Sequence, residues 1–211
     1  MDKVLVVGGS SYYHDPFRKF GTYTCDAELL WTNPRDIALV LFTGGADVSP
    51  ALYRQEAARG TNFFPRRDIY ESIVFRKAIQ LGTRMVGVCR GSQFLNVMAG
   101  GKLVQHLDGH GFWHNMKTID GRMFEVSSTH HQMSLPTNDS LLIGWSAEKR
   151  SYGGYIGDDN KRINPEPKHE TEVIYWPTIR GVGMQYHPEI MSEHTQGFRF
   201  ASGVVEKYLF A

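Results

Sequence analysis

Apolar positions along the chain fall into short unbroken runs, separated by stretches with helical spacing. Residues 4–7 (VLVV), 37–42 (IALVLF) and 84–88 (RMVGV) are almost wholly apolar. Such runs, rich in branched residues, suit strands buried on both faces of a sheet. Within residues 68–81, Tyr70, Ile73, Val74, Ala78 and Leu81 recur at helical spacing, and Gly82 ends the segment. That stripe predicts a helix packed on the sheet. Residues 92–99 predict another helix, stopped by Gly100-Gly101. Ser49-Pro50 reads as N-cap and first residue of a short helix through Tyr53. Strands alternating with helices predict an α/β fold, with a mostly parallel central sheet flanked by helices.

Beyond Met116 the pattern changes. Residues 117–119, 123–126, 141–146 and 172–175 read as shorter strands with turns between them, Asp120-Gly121 being a hairpin signal. They predict a small antiparallel extension. Residues 182–186 then re-enter the main sheet, and residues 192–209 form the last helix. Residues 153–170, rich in Gly, Asp, Asn and Pro, have the composition of a mobile loop and the length of a lid. No repeat or linker interrupts the chain, so a single domain over residues 1–211 is expected.

Bulk properties narrow the function classes. A chain of 211 residues, 41% hydrophobic, can build one sizeable core. Lys plus Arg is 23 and Asp plus Glu is 22, and this near balance argues against a nucleic-acid surface. Arg66-Arg67 and Lys149-Arg150 are too short for a basic stripe. The aromatics Tyr12, Tyr13, Phe63, Phe64, Phe112 and Trp113 are scattered rather than patterned, so no stacking platform is expected. No segment approaches membrane-spanning length, and the first apolar run is too short for a signal core. Two cysteines, Cys25 and Cys89, make a disulfide framework a poor reading. A cytoplasmic protein with reduced thiols is expected.

The chemistry centres on Cys89. A buried strand leads straight into it and a helix follows, so Gly87-Val88-Cys89-Arg90-Gly91 has the form of a strand–nucleophile–helix elbow. Glycines two before and two after let strand and helix approach closely. A sulfur at a helix N-terminus is favoured as thiolate. A thiolate needs a base, and the base needs an orienting partner. His187-Pro188-Glu189, at the end of a predicted strand, supplies both if the proline stiffens the turn. An acyl-transfer site also needs two donors for the developing oxyanion. The Arg90 amide is one candidate; Gly44 or Gly45, in the glycine turn after the second strand, offers the other. His106, His110 and His114 are spaced four apart, but Gly109 and Gly111 argue against a helix, and no metal site is expected there. His130 and His131, read as adjacent strand positions, would point to opposite faces, so at most one would face a pocket.

Five segments occur together in order: Gly44-Gly45-Ala46-Asp47-Val48-Ser49-Pro50, Arg67-Asp68 with Glu71, Gly87-Val88-Cys89-Arg90-Gly91-Ser92-Gln93, Ser128-Thr129-His130-His131-Gln132 and Gln185-Tyr186-His187-Pro188-Glu189. Together they resemble the class I glutamine amidotransferase-like proteins, in particular the γ-glutamyl-γ-aminobutyrate hydrolase branch of the peptidase C26 group. The resemblance implies a flavodoxin-like class I glutamine amidotransferase fold, with Cys89 as nucleophile, His187 as base and acid, and Glu189 as its orienting carboxylate. It also implies that Gln93 contacts the γ-glutamyl group and that His130 lines the substrate pocket. The activity it implies is hydrolysis of a small γ-glutamyl amide through a thioester, with no cofactor. Two further readings keep the fold: a glutaminase subunit that serves a separate synthetase or ligase, and an inactive binding or regulatory protein. The pocket for the leaving amine is expected from residues 10–23, 62–66 and 153–170. The oligomeric state stays open between monomer and homodimer.

Overall fold

The apolar runs are neighbouring parallel strands. The computed structural model describes all 211 residues. In chain order its elements are β1 (Lys3–Val7), β2 (Thr22–Thr24), α1 (Leu29–Thr32), β3 (Ile37–Phe42), α2 (Pro65–Leu81), β4 (Arg84–Val88), α3 (Arg90–Met98), β5 (Lys102–Val104), β6 (His114–Thr118), β7 (Met123–Val126), β8 (Met133–Leu135), β9 (Leu141–Ser146), β10 (Thr171–Trp176), β11 (Gly181–Met184) and α4 (Gln196–Val205). A nine-stranded sheet runs in the order β2-β1-β3-β4-β11-β10-β9-β6-β7. From β2 to β11 the pairings are parallel, and from β11 to β7 they are antiparallel. The antiparallel extension is therefore continuous with the parallel half. Helix α4 is shorter than the expected 192–209 and passes into a wider turn, Glu206–Phe210.

Alternation along the strands explains why they read as unbroken apolar runs. Val4, Val6, Leu39, Leu41, Val86 and Val88 face one layer, where α4 contributes Phe200, Ala201 and Val204. Leu5, Val7, Val40, Phe42 and Met85 face the other, where α2 contributes Val74, Phe75 and Ala78 and α3 contributes Phe94 and Leu95. With both faces covered, every position along these strands is selected to be apolar. Functional groups are then left to the loops at the carboxyl ends of the strands.

The stripe expected on α2 lies at a different phase. Tyr70, Ile73 and Leu81 are exposed, while Asp68, Glu71, Ser72, Val74, Phe75 and Ala78 are buried. The cause is a buried cation: Arg90, only 1% exposed, pairs with Asp68 and Glu71, so two carboxylates take inward positions that periodicity alone assigns to apolar residues. Ser49 and Pro50 do begin a short turn, Pro50–Tyr53, but it is a 3-10 helix and Ser49 makes no side-chain cap.

Residues 153–170 are tied down rather than poised as a lid. Asp158 accepts the Glu56 amide at 2.7 Å, and Asn160 accepts the Arg59 amide at 2.7 Å. Tyr155 is buried and donates to Glu170 at 2.9 Å. The segment lacks periodicity because its order comes from side-chain contacts to distant loops. A second, two-stranded sheet of β5 and β8 escapes sequence reading, since each strand has only 3 residues.

Candidate active site

Cys89 stands at the carboxyl end of β4 as the cap of α3, with φ 51° and ψ −111°. A non-glycine residue held at positive φ is strained, and the surroundings fix it there. Its amide donates to the Met184 carbonyl on β11 at 2.7 Å. The flanking glycines are required by contact. A Cβ on Gly91 would lie 2.1 Å from the Phe42 carbonyl oxygen, and one on Gly87 would lie 2.3 Å from that of Gly91. The elbow can only be this tight because those atoms are missing.

His187 follows β11, the strand beside β4. Its Nδ1 lies 2.6 Å from Glu189 Oε1. A carboxylate only accepts, so the neutral ring carries its proton on Nδ1 and leaves Nε2 free to take one. Nε2 is buried, has no well-formed hydrogen bond within the protein, and is turned toward the Cys89 sulfur. Burial pushes the imidazole pKa down. The charge and hydrogen bonding of Cys89, followed by those of Glu189, outweigh burial and raise it to about 10. The backbone of His187 is clamped from both sides by Ser127: its amide donates to Ser127 Oγ at 3.0 Å, and that hydroxyl donates to the His187 carbonyl at 2.7 Å.

The third wall is the turn after β3. Gly44 packs against His187 and Tyr13, since a Cβ there would lie 3.1 Å from His187 Cε1 and 2.6 Å from the Tyr13 hydroxyl. The amides of Gly44 and Gly45 donate to no group in the protein. Arg67 holds the other side of both peptides. Its guanidinium donates to the Thr43 carbonyl at 2.9 Å and to the Gly44 carbonyl at 3.0 Å, and Glu71 anchors it at 2.8 Å. In a planar trans peptide the N–H points opposite to the C=O. Fixing those two carbonyls therefore fixes the directions of the Gly44 and Gly45 donors. Gly45 sits at φ +141°, and a Cβ there would collide with Arg67. The Arg90 amide stands at the first position of α3, beside Cys89.

Cys89 opens onto a cavity of about 180 Å³, lined also by Gly45, Ala46, Asp47, Asn62, Gln93, Thr129, His130, His131 and Gln132. Gln93 is on its wall, but its amide nitrogen is spent on the Gln132 carbonyl and the Gln185 side chain. His130 also stands on the cavity wall. Its Nδ1 donates to the Gln132 carbonyl at 2.8 Å and its Nε2 is buried toward Glu172, so neither nitrogen reaches the cavity. His131, also on the wall, is paired with Asp47 at 3.1 Å. That pairing raises the His131 pKa against the opposing effect of burial. Both histidines line the cavity because they lie in a loop, where the alternation expected of a strand does not hold. None of residues 153–170 lines it. A larger cavity, of about 340 Å³ and lined by Arg122, Phe124, Phe200 and Lys207 among others, contains none of these groups.

Tyr13, Arg67, Asp47 and Ser127 escape sequence reading as site residues. Arg67 and Asp47 sit inside the quoted segments but have no local chemical signature. Tyr13 comes from an otherwise undiagnostic stretch; burial, then the nearby Glu189 and Cys89, push its hydroxyl pKa up. The geometry as a whole can support nucleophilic attack at a carbonyl, proton transfer through His187, and oxyanion binding by main-chain donors.

Residues 26–152 match the peptidase C26 family. A Mycobacterium tuberculosis protein whose name places it among the glutamine amidotransferases is 49% identical over 71 residues, covering 33% of this chain and 23% of that protein. The glutamine amidotransferase-like protein YvdE of Lactococcus lactis subsp. lactis is 47% identical over 70 residues, covering 32% of this chain and 29% of that protein. The matched stretch therefore spans less than a third of either relative. A glutamine amidotransferase of Thermotoga maritima superposes with TM-score 0.60 at 16% identity, covering 98% of this chain and 84% of that one. That likeness concerns the fold, which is the class I glutamine amidotransferase fold. No helix is long and apolar enough to cross a membrane.

Proposed function

The chain belongs to the peptidase C26 family, and we propose that within it the protein is a cysteine hydrolase that opens a small γ-glutamyl amide. The observation that carries this reading is the alignment of Cys89, His187 and Glu189 beside two unpaired main-chain donors. Cys89 Sγ attacks the γ-carbonyl carbon, and the carbonyl electrons move to an oxyanion held by the Gly44, Gly45 and Arg90 amides. His187, protonated beside the sulfur, gives its proton to the leaving amine as the C–N bond breaks. A γ-glutamyl thioester remains. Water then loses a proton to His187, attacks the thioester and releases glutamate and the free thiol. Glu189 holds the imidazole in the orientation both steps need. Asp47 and His131 place one acid and one base on the cavity wall, suited to the amino and carboxylate groups of the glutamyl end.

Glutamate release from a panel of γ-glutamyl amines and free glutamine tests the reading. Wild-type protein should turn over one or more of them, and Cys89→Ala should show none while keeping the wild-type melting curve. Turnover that survives Cys89→Ala would overturn the assignment. The names carried by relatives favour a second use of the same chemistry, in which ammonia from glutamine passes to a separate synthetase or ligase. Glutaminase activity that appears only on adding a partner fraction would select it.

A further inference from the structure

Behind the Cys89 cavity lies a buried cluster that the proposed chemistry does not use. It joins His110, from the chain between β5 and β6, His130, from the loop between β7 and β8, and Glu172 on β10. Their ligand atoms lie within 4.8 Å of one another, and all three residues are buried. His110 Nδ1 is 3.5 Å from Glu172 Oε1, and His130 Nε2 is 3.7 Å from the same oxygen. We propose that these residues hold a divalent transition-metal ion of the zinc class.

Proton placement carries the argument. His110 Nε2 lies 3.1 Å from Glu170 Oε2, and a carboxylate only accepts, so that nitrogen bears the ring proton. His130 Nδ1 faces the Gln132 carbonyl at 2.8 Å and bears its ring proton for the same reason. In the neutral rings, each histidine is left with a lone pair on the nitrogen that faces Glu172. His110 Nδ1, His130 Nε2 and Glu172 Oε2 have no hydrogen-bond partner, although all are sealed from solvent. Acceptors that converge in a dry interior repel one another unless a cation lies among them.

The surroundings are those of a built metal site. Each ligating imidazole donates its other N–H outward, one to a carboxylate and one to a main-chain carbonyl, which fixes the tautomer with nitrogen facing inward. The ligating carboxylate is itself steadied, since His114 Nε2 lies 2.9 Å from Glu172 Oε1. Donors bound to zinc at roughly 2.0–2.1 Å stand about 3.4 Å apart in a tetrahedron, close to the His–Glu separations here. Two imidazoles and one carboxylate suit zinc, cobalt or iron rather than calcium or magnesium. Such an ion would fasten the 127–132 loop to β10. Thr129, His131 and Gln132 of that loop line the Cys89 cavity, so the ion would support its wall without touching the reacting atoms.

Elemental analysis of the full chain, expressed with added zinc and freed of loosely held metal, tests the site. A stoichiometric transition metal should remain, and X-ray absorption should show nitrogen and oxygen ligands with imidazole scattering and no sulfur. Unfolding in denaturant with chelator, then refolding with or without zinc, should give a higher melting temperature with the metal. His130→Gln should lose the ion, whereas His106→Ala, changing an exposed histidine nearby, should keep it. A lone proton on His110 is the competing occupant. Substoichiometric metal with identical melting in both refolded samples would establish it and overturn the proposal. Metal bound through sulfur, or retained by a folded His130→Gln variant, would overturn it as well.

Discussion

His187 is governed by a contest between burial and neighbouring anions, and its outcome sets the pH behaviour of the proposed reaction. Burial favours the neutral ring; Cys89 and Glu189 favour the imidazolium and win, raising the pKa to about 10. The ring binds its proton more tightly folded than unfolded. Its contribution to stability is therefore complete below about pH 6.5, the usual histidine value, and is lost as pH rises through the folded value. Turnover that needs His187 as acid should fail on the alkaline side near that pH. Glu189→Gln removes one of the charges that raise the pKa, so the alkaline limb of kcat/KM should move to lower pH, with a lower plateau. A pH–rate profile of the two proteins measures both effects.

Arg67 acts at the same scale, through main-chain direction. It touches no reacting group, but it holds the two carbonyls whose peptides carry the Gly44 and Gly45 donors. Loss of one oxyanion donor costs about 10²–10³ in kcat in enzymes that depend on it. Arg67→Met leaves both peptides free to rotate, and kcat should fall by about tenfold to a hundredfold, with less change in KM. Arg67→Lys, which reaches the site as a point charge without the planar fork, should recover only part of that loss. Steady-state kinetics on whichever γ-glutamyl amide the panel identifies would decide it.

At the scale of elements, the strand–Cys89–helix unit is the best determined part of the molecule. Everything it needs is local, namely a buried run, two glycines and a helix start, and for that reason it is legible in the sequence. The same holds for His187-Pro188-Glu189, whose members are adjacent. Contacts made across the fold are not legible. Arg90 reads as a helix residue whose amide matters, but its side chain crosses to Asp68 and Glu71 on α2 and shifts the phase of that helix's buried face. Periodicity sees only apolar spacing and cannot anticipate a buried cation on another element. Ser127 clamps His187 from 60 positions away, and no local pattern reports it. Asp68 and Arg90 are 2% and 1% exposed, and burial raises the Asp68 pKa even against Arg90. Removing the cation with Arg90→Met would leave Asp68 without a counter-ion and Glu71 with Arg67 alone, and should cost about 3–5 kcal/mol of stability, read from urea unfolding. Adding Asp68→Asn should return part of that loss, because the stranded charge goes with it.

For the whole molecule, the decisive feature is where the parallel half of the sheet meets the antiparallel half. β11 pairs with β4 on one side and β10 on the other, so it carries His187 to Cys89 while joining the two halves. Glu172 on β10 accepts the Gln185 amide at 2.7 Å through its carbonyl, so the 110/130/172 cluster and the His187 loop share one seam. The site is thus assembled from groups nearly a hundred residues apart by strands buried on both faces. Amide exchange should be slowest in β3, β4 and β11 and fastest in the edge strands β2 and β7, because opening the centre exposes both core layers. Residues 153–170 should exchange more slowly than a free loop at Ile156 and Ile163, whose amides bond to His106 and Tyr155 at 2.9 and 2.8 Å. A lid would show rapid exchange there, slowed on trapping a γ-glutamyl thioester on Cys89. An anchored wall should show moderate protection that trapping leaves unchanged, and exchange followed with and without an electrophilic glutamine analogue separates the two.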